Sequence, residues 1–108
     1  MRKTFCLGLL PFLLAVPTVA QVDAGTIAGT VRDSQGAGVS SATITFLETG
    51  TGTTTKAQAD ATGEYASPPL RPGQYKVSAE AQGFKTETRP AITLRVQDRL
   101  RLDFQMAV

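Results

Sequence analysis

The sequence predicts an all-β fold, a sandwich of about seven short antiparallel strands, preceded by an export signal. Three observations carry the prediction. From Thr26 onward apolar residues recur at every second position, the period of a strand. Gly, Pro and Asp punctuate that pattern about every ten residues, as in chains of short strands joined by tight turns. The opening residues, MRKTFCLGLLPFLLAVPTVA, follow a different rule altogether.

In that opening segment a basic start (Arg2, Lys3) leads into an apolar run from Phe5 to Val16 and a small-residue exit at Thr18-Val19-Ala20. This is the order of a secretory signal, with cleavage expected after Ala20. The run is too short to cross a bilayer, which takes about 20 residues, and Pro11 and Pro17 would interrupt a spanning helix. Residues 1–20 are therefore read as a signal peptide, 21–25 as a linker and 26–108 as one domain, with no membrane span left after cleavage.

The first strand is carried by Ile27 and Val31, alternating with Thr26, Thr30 and Arg32 around Gly29, and it ends at the turn Asp33-Ser34-Gln35-Gly36. Val39, Ala42, Ile44 and Phe46 mark the second. The stretch from Glu48 to Ala59 is rich in Thr and Gly, giving a turn at Thr49-Gly50-Thr51-Gly52 and a partly exposed third strand. Asp60-Ala61-Thr62-Gly63 is the next turn and Tyr65 a brief fourth strand. Pro68-Pro69-Leu70-Arg71-Pro72-Gly73 is a stiff connection, since its prolines exclude both helix and central strand. Gln74 to Ala81 alternates most cleanly, with Tyr75, Val77 and Ala79 on one face, and breaks at Gln82-Gly83 before Phe84. After Arg89-Pro90, apolar residues at Ile92, Leu94 and Val96 and then at Leu100, Leu102, Phe104 and Met106 flank an interruption at Gln97-Asp98-Arg99. This predicts two strands, or one long strand with a bulge, closing the sheet.

Composition limits the chemistry. The chain has no histidine and a single cysteine, Cys6, which lies in the leader. His-dependent acid–base catalysis, Ser-His-Asp and Cys-His nucleophiles, common zinc sites and disulfides are all excluded from the processed domain. No catalytic residue, metal site or cofactor is expected. Asp33 and Asp60 each open an Asp-x-x-Gly turn, where backbone capping is the better account than calcium, because one carboxylate per loop supplies too few oxygen ligands. The net charge of +2 comes from eleven basic against nine acidic residues, and Arg2 and Lys3 leave with the signal. The processed domain is neutral and its charges are interspersed, which argues against a nucleic-acid partner. Aromatic faces hold saccharide rings, which makes Tyr65 and Tyr75 the candidate ligand contacts, with Phe84 beside them. The phase of each ring points inward, where a small domain without Trp needs it for the core.

The pieces GTVRDSQGAGVSSATI (Gly29 to Ile44) and DATGEYASPPLRPGQYKVSAEAQGF (Asp60 to Phe84) resemble the carboxypeptidase regulatory-like domain family. The shared pattern is Gly29-x-Val31-x-Asp33-x-x-Gly36, then Gly63-x-Tyr65, Leu70-x-x-Gly73-x-Tyr75-x-Val77 and Gly83-Phe84. Ser67 stands where the family usually has a large apolar residue, and Ser41 where it has Gly, Pro or Asn. The resemblance implies a transthyretin-like sandwich without peptidase activity. It is similar to the N-terminal extension of TonB-dependent outer-membrane receptors, which would place the chain in the periplasm, at the outer membrane or outside the cell. A receptor barrel needs at least about eight membrane strands, so the stretch to Val108 has no room for one. The expected role is a non-catalytic interaction or assembly module, either the head of a longer receptor or free-standing. Its partners would be an envelope protein or a receptor plug and barrel, engaged through an exposed sheet edge near Thr53 to Lys56. The alternative is a carbohydrate-binding module with a glycan partner.

Overall fold

A computed structural model describes residues 23–108. The expected signal peptide, its cleavage site and Cys6 lie outside the described residues. Eight strands follow in chain order: β1 (Thr26–Asp33), β2 (Thr43–Glu48), β3 (Thr54–Gln58), β4 (Glu64–Ala66), β5 (Gly73–Glu80), β6 (Glu87–Leu94), β7 (Arg99–Arg101) and β8 (Phe104–Met106). They form two four-stranded sheets that pack as a sandwich, as the alternating pattern predicts. One sheet runs β3-β2-β5-β6 and is antiparallel throughout. In the other, β4 lies antiparallel on one side of β1, while β7 and β8 lie parallel on its other side, one after the other.

The parallel pairs correct the expectation of a wholly antiparallel sandwich. Period-two alternation fixes which face a side chain takes, not the direction in which its strand runs. The C-terminal apolar segment is also broken once more than expected. It turns at residues 95–98 and again at Leu102-Asp103, so that β7 covers the first half of β1 and β8 the second half. Val96 does not continue the inward row of Ile92 and Leu94. It sits in the turn, 48% exposed, between Arg95 and Gln97, whose φ is 64°. The strand before it starts earlier than the prolines suggest: β6 runs through Pro90. Tyr75 faces Ile92 and Val77 faces Arg89, leaving Pro90 and Ala91 together opposite Lys76 as a bulge. An edge strand tolerates proline at such a point because no ladder bond is required there.

Within the linker expected at 21–25, Ala24 and Gly25 are tied to the domain by backbone bonds. Gly25 exchanges both backbone bonds with Leu70, each at 2.9 Å, and Gln97 N–H donates to the carbonyl of Ala24.

The core lies between the sheets. Ile27 and Val31 from β1 and Phe104 and Met106 from β8 meet Ile44 and Phe46 from β2, Val77 and Ala79 from β5 and Leu94 from β6. All nine of these side chains are enclosed, Phe46 and Phe104 the largest. Each such burial stabilises by about 1.5–3 kcal/mol. With no disulfide among the described residues, this packing carries the fold.

Candidate functional site

Tyr65 and Tyr75 are both in the core, 4% and 3% exposed. Tyr65 stands opposite Gly29 across the β1–β4 pair, while the Leu102 carbonyl occupies the space over Gly29 itself. Its ring lies 6.3 Å from Phe46 of the facing sheet and 6.2 Å from Phe104 of its own, both tilted, so it joins the two sheets. Its hydroxyl donates to the Leu102 carbonyl. Tyr75 donates to the Arg71 carbonyl at 2.6 Å. Burial, with the Asp103 charge second, pushes the Tyr65 hydroxyl well above the usual phenol range, and burial likewise raises Tyr75, with Glu48 second. A stacking platform needs rings presented to solvent, and neither of these is. Phe84 is only half-buried, packed at the margin of the core.

The acidic residues are engaged locally. Asp33 Oδ1 accepts from the N–H groups of Gln35 and Ala37 at 2.9 and 3.0 Å. Asp60 Oδ1 accepts from the Thr62 hydroxyl at 2.8 Å and from the N–H groups of Thr62 and Glu64 at 2.9 and 3.0 Å, and the Thr62 hydroxyl is the main reason its carboxyl is held below the usual range. Gly36 and Gly63 complete these turns with φ near 84° and 85°. Among the described residues no three potential metal ligands gather.

One carboxylate was not singled out in the sequence. Asp103 sits at the break between β7 and β8, where the backbone humps over Gly29 so closely that a methyl group there would overlap the Leu102 carbonyl. Asp103 Oδ1 accepts from Thr30 N–H at 2.9 Å and from the Thr30 hydroxyl at 3.2 Å, standing in for a missing ladder carbonyl. Those bonds, the Thr30 N–H first, hold its carboxyl below the usual range, aided by Arg101 at 3.2 Å. An open groove of about 490 Å³ beside it is lined by Arg32, Asp33, Arg89 and Asp103. Its cations are already engaged: Arg32 donates to the Gly36 carbonyl, and Arg89 to the Asp103 carbonyl while lying 3.6 Å from Glu87. Only the spacing of Asp103 from Gly29 in the folded chain reveals its role, since nothing in the local sequence distinguishes it from a surface residue.

What is left unsatisfied lies at the edges. Ala59 N–H bonds the Ala42 carbonyl and Glu48 N–H the Thr53 carbonyl. With the observed register, this phase turns the backbone groups of Thr55 and Ala57 toward β2 and those of Thr54, Lys56 and Gln58 outward. Among the described residues nothing pairs with that outward row, and all three side chains are exposed. The other edges are blunted. β6 carries the Pro90 bulge. β4 is three residues long, and both backbone groups of Glu64 are taken by Asp60. The β7–β8 edge is broken at Leu102-Asp103 and flanked by Arg99 and Arg101. β3, the Thr-rich strand singled out in the sequence, is therefore the open edge.

The family model for the carboxypeptidase regulatory-like domain matches residues 26–107. No curated protein matches the sequence. Solved structures resemble the fold. A candidate carbohydrate-binding protein from Bacteroides uniformis has a TM-score of 0.63 at 22% identity, covering 77% of this chain and 41% of its own. A candidate carbohydrate-binding protein from Pseudomonas aeruginosa has 0.54 at 15% identity, covering 79% and 90%. Chlorocatechol 1,2-dioxygenase from Pseudomonas putida has 0.59 at 16% identity, covering 80% and 61%. The chain thus spans less than half of the first and under two thirds of the dioxygenase, and at these identities the likeness is one of fold.

Proposed function

We propose, because the chain belongs to the carboxypeptidase regulatory-like domain family, that it is a non-catalytic exported module of the cell envelope that binds another protein by adding a strand to β3. The observation that carries this reading is the unpaired outward row of Thr54, Lys56 and Gln58, on a molecule whose other described edges are blunted and whose Tyr65 and Tyr75 rings are enclosed. The leader supports export, and the resemblance to receptor extension domains supports a plug, a barrel or a neighbouring envelope protein as the partner. Nothing in the residues described assembles an acid, a base and a nucleophile around a cleft.

Lys56→Pro tests it. The Lys56 N–H points away from β2, so proline there removes an outward donor and leaves the β2–β3 bonds intact, as Pro90 does on β6. With a photo-crosslinking residue at Gln58, cells expressing the chain should yield an adduct with an envelope protein. The same residue at Thr88, on the opposite edge, should not. Lys56→Pro should keep the far-ultraviolet β spectrum and lose the adduct. Equal adducts from both edges, or an adduct that survives the proline, would refute the edge reading.

The second reading is glycan binding, favoured by the two candidate carbohydrate-binding proteins that share the fold. With Tyr65 and Tyr75 committed to the core, a sugar would have to use the open groove beside Asp103 and Arg89. Glycan retention unaffected by Lys56→Pro would move the assignment to that groove.

A further inference from the structure

Resting on the reading of β3 as a docking edge, we infer that its occupant is an extended segment of a different protein with a carboxylate facing Lys56, and not a second copy of this chain. The argument begins with the phase of the ladder. A strand added to β3 can bond only where Thr54, Lys56 and Gln58 turn their N–H and C=O groups outward, so an incoming chain must offer its own outward residues to those three.

Consider first a second copy in antiparallel pairing. The register that uses all three outward residues places Lys56 directly opposite Lys56 of the other copy, with Thr54 opposite Gln58 on either side. Like charges directly opposite destabilise a pair, and any register that avoids the clash gives up one of the three bonded positions. A lysine at the middle of an exposed edge is a common device against self-pairing.

The same lysine is an unmet charge. Across the sheet its row continues through Thr45 of β2, Ser78 of β5 and Thr88 of β6, none of them ionisable. The ion pairs among the described residues are Arg89 with Glu87 and Arg101 with Asp103, so Lys56 has no carboxylate partner within the fold. A carboxylate on an added strand, at the position facing Lys56, would be its first, and the threonine and glutamine on either side suit β-branched neighbours that continue the pleat.

Three synthetic heptapeptides of alternating threonine and valine, with glutamate, glutamine or lysine at the centre, serve as probes. They are titrated into the isotope-labelled chain while backbone amide resonances are followed. The glutamate peptide should shift the amides of Thr54, Lys56 and Gln58 and bind about fivefold more tightly than the glutamine peptide, with the lysine peptide weaker still. Lys56→Glu should reverse the order, and added salt should narrow it. If all three peptides shift those amides equally, the edge is real but the carboxylate preference is wrong. If none does, both this inference and the docking edge fall. If the same amides are protected without peptide in a concentration-dependent dimer, the occupant is a second copy and the inference is overturned.

Discussion

Ser41 shows how a single residue departs from its family at a measurable cost. It sits at the turn before β2 with φ of 63°, in the left-handed region where a side chain clashes with its own backbone. Glycine or asparagine, which the family favours at this place, adopts that conformation more readily. Ser41→Gly should relieve about 1–2 kcal/mol of strain and lose about half of that to the greater freedom of the unfolded chain. The net gain should raise the melting temperature by about 3–5 °C in a thermal scan. Ser67, the other departure, is accommodated differently. It is 8% exposed, yet its hydroxyl accepts from Ile27 N–H at 3.0 Å and donates to the Pro68 carbonyl at 2.8 Å, so a polar tie replaces apolar packing. Asp33 and Asp60 were legible as turn formers because Asx chemistry acts within a few residues. The roles of Ser67 and Asp103 depend on partners 40 and 73 positions away, beyond any local pattern.

At the scale of elements, the seam between β1 and the β7–β8 edge depends on that distant carboxylate. Because the bonded form of Asp103 is the ionised one, its folded pKa lies below its unfolded value. The stability it contributes is present above the ordinary aspartate pKa of about 3.9 and is lost as pH falls through the lower folded value. Asp103→Asn keeps an oxygen for Thr30 N–H but removes the charge. Denaturant titrations at pH 7 and pH 3 should therefore show a smaller acid loss for Asp103→Asn than for the wild type. The difference should stay below about 1 kcal/mol, since the side chain is half exposed and water screens it. The limits of sequence reading show here too. The exposed β3, the brief β4 and the alternation of β5 could all be read from period and composition. Strand direction and the second break at Leu102-Asp103 could not, because the same inward row of Leu100, Leu102, Phe104 and Met106 fits an unbroken strand on either side of β1. Pro90 marked an apparent boundary only because a bulge is invisible until the partner strand is known.

For the whole molecule, Tyr65 is the point at which the two sheets answer to one another, touching Phe46 across the sandwich and Phe104 beside it. Both phenols are raised, burial first, so the folded chain holds their protons where the unfolded chain releases them. Their contribution to stability should be constant up to the ordinary tyrosine value of about 10 and fall as pH rises beyond it. The phenolate absorbance near 295 nm should appear in one step together with loss of the β spectrum, and a separate phenolate step on an intact fold would contradict the enclosed placement of the rings.

The parallel pairing of β1 has a consequence in time. The first strand of the domain is flanked on one side by the last two, so its ladder is complete only when the chain has been read out to Met106. Closing so long a loop is slow, and β1 lacks its neighbours on that side until the last two strands of the domain have been made. The order of the strands alone imposes that delay, since the partners of β1 on that side come last among the eight.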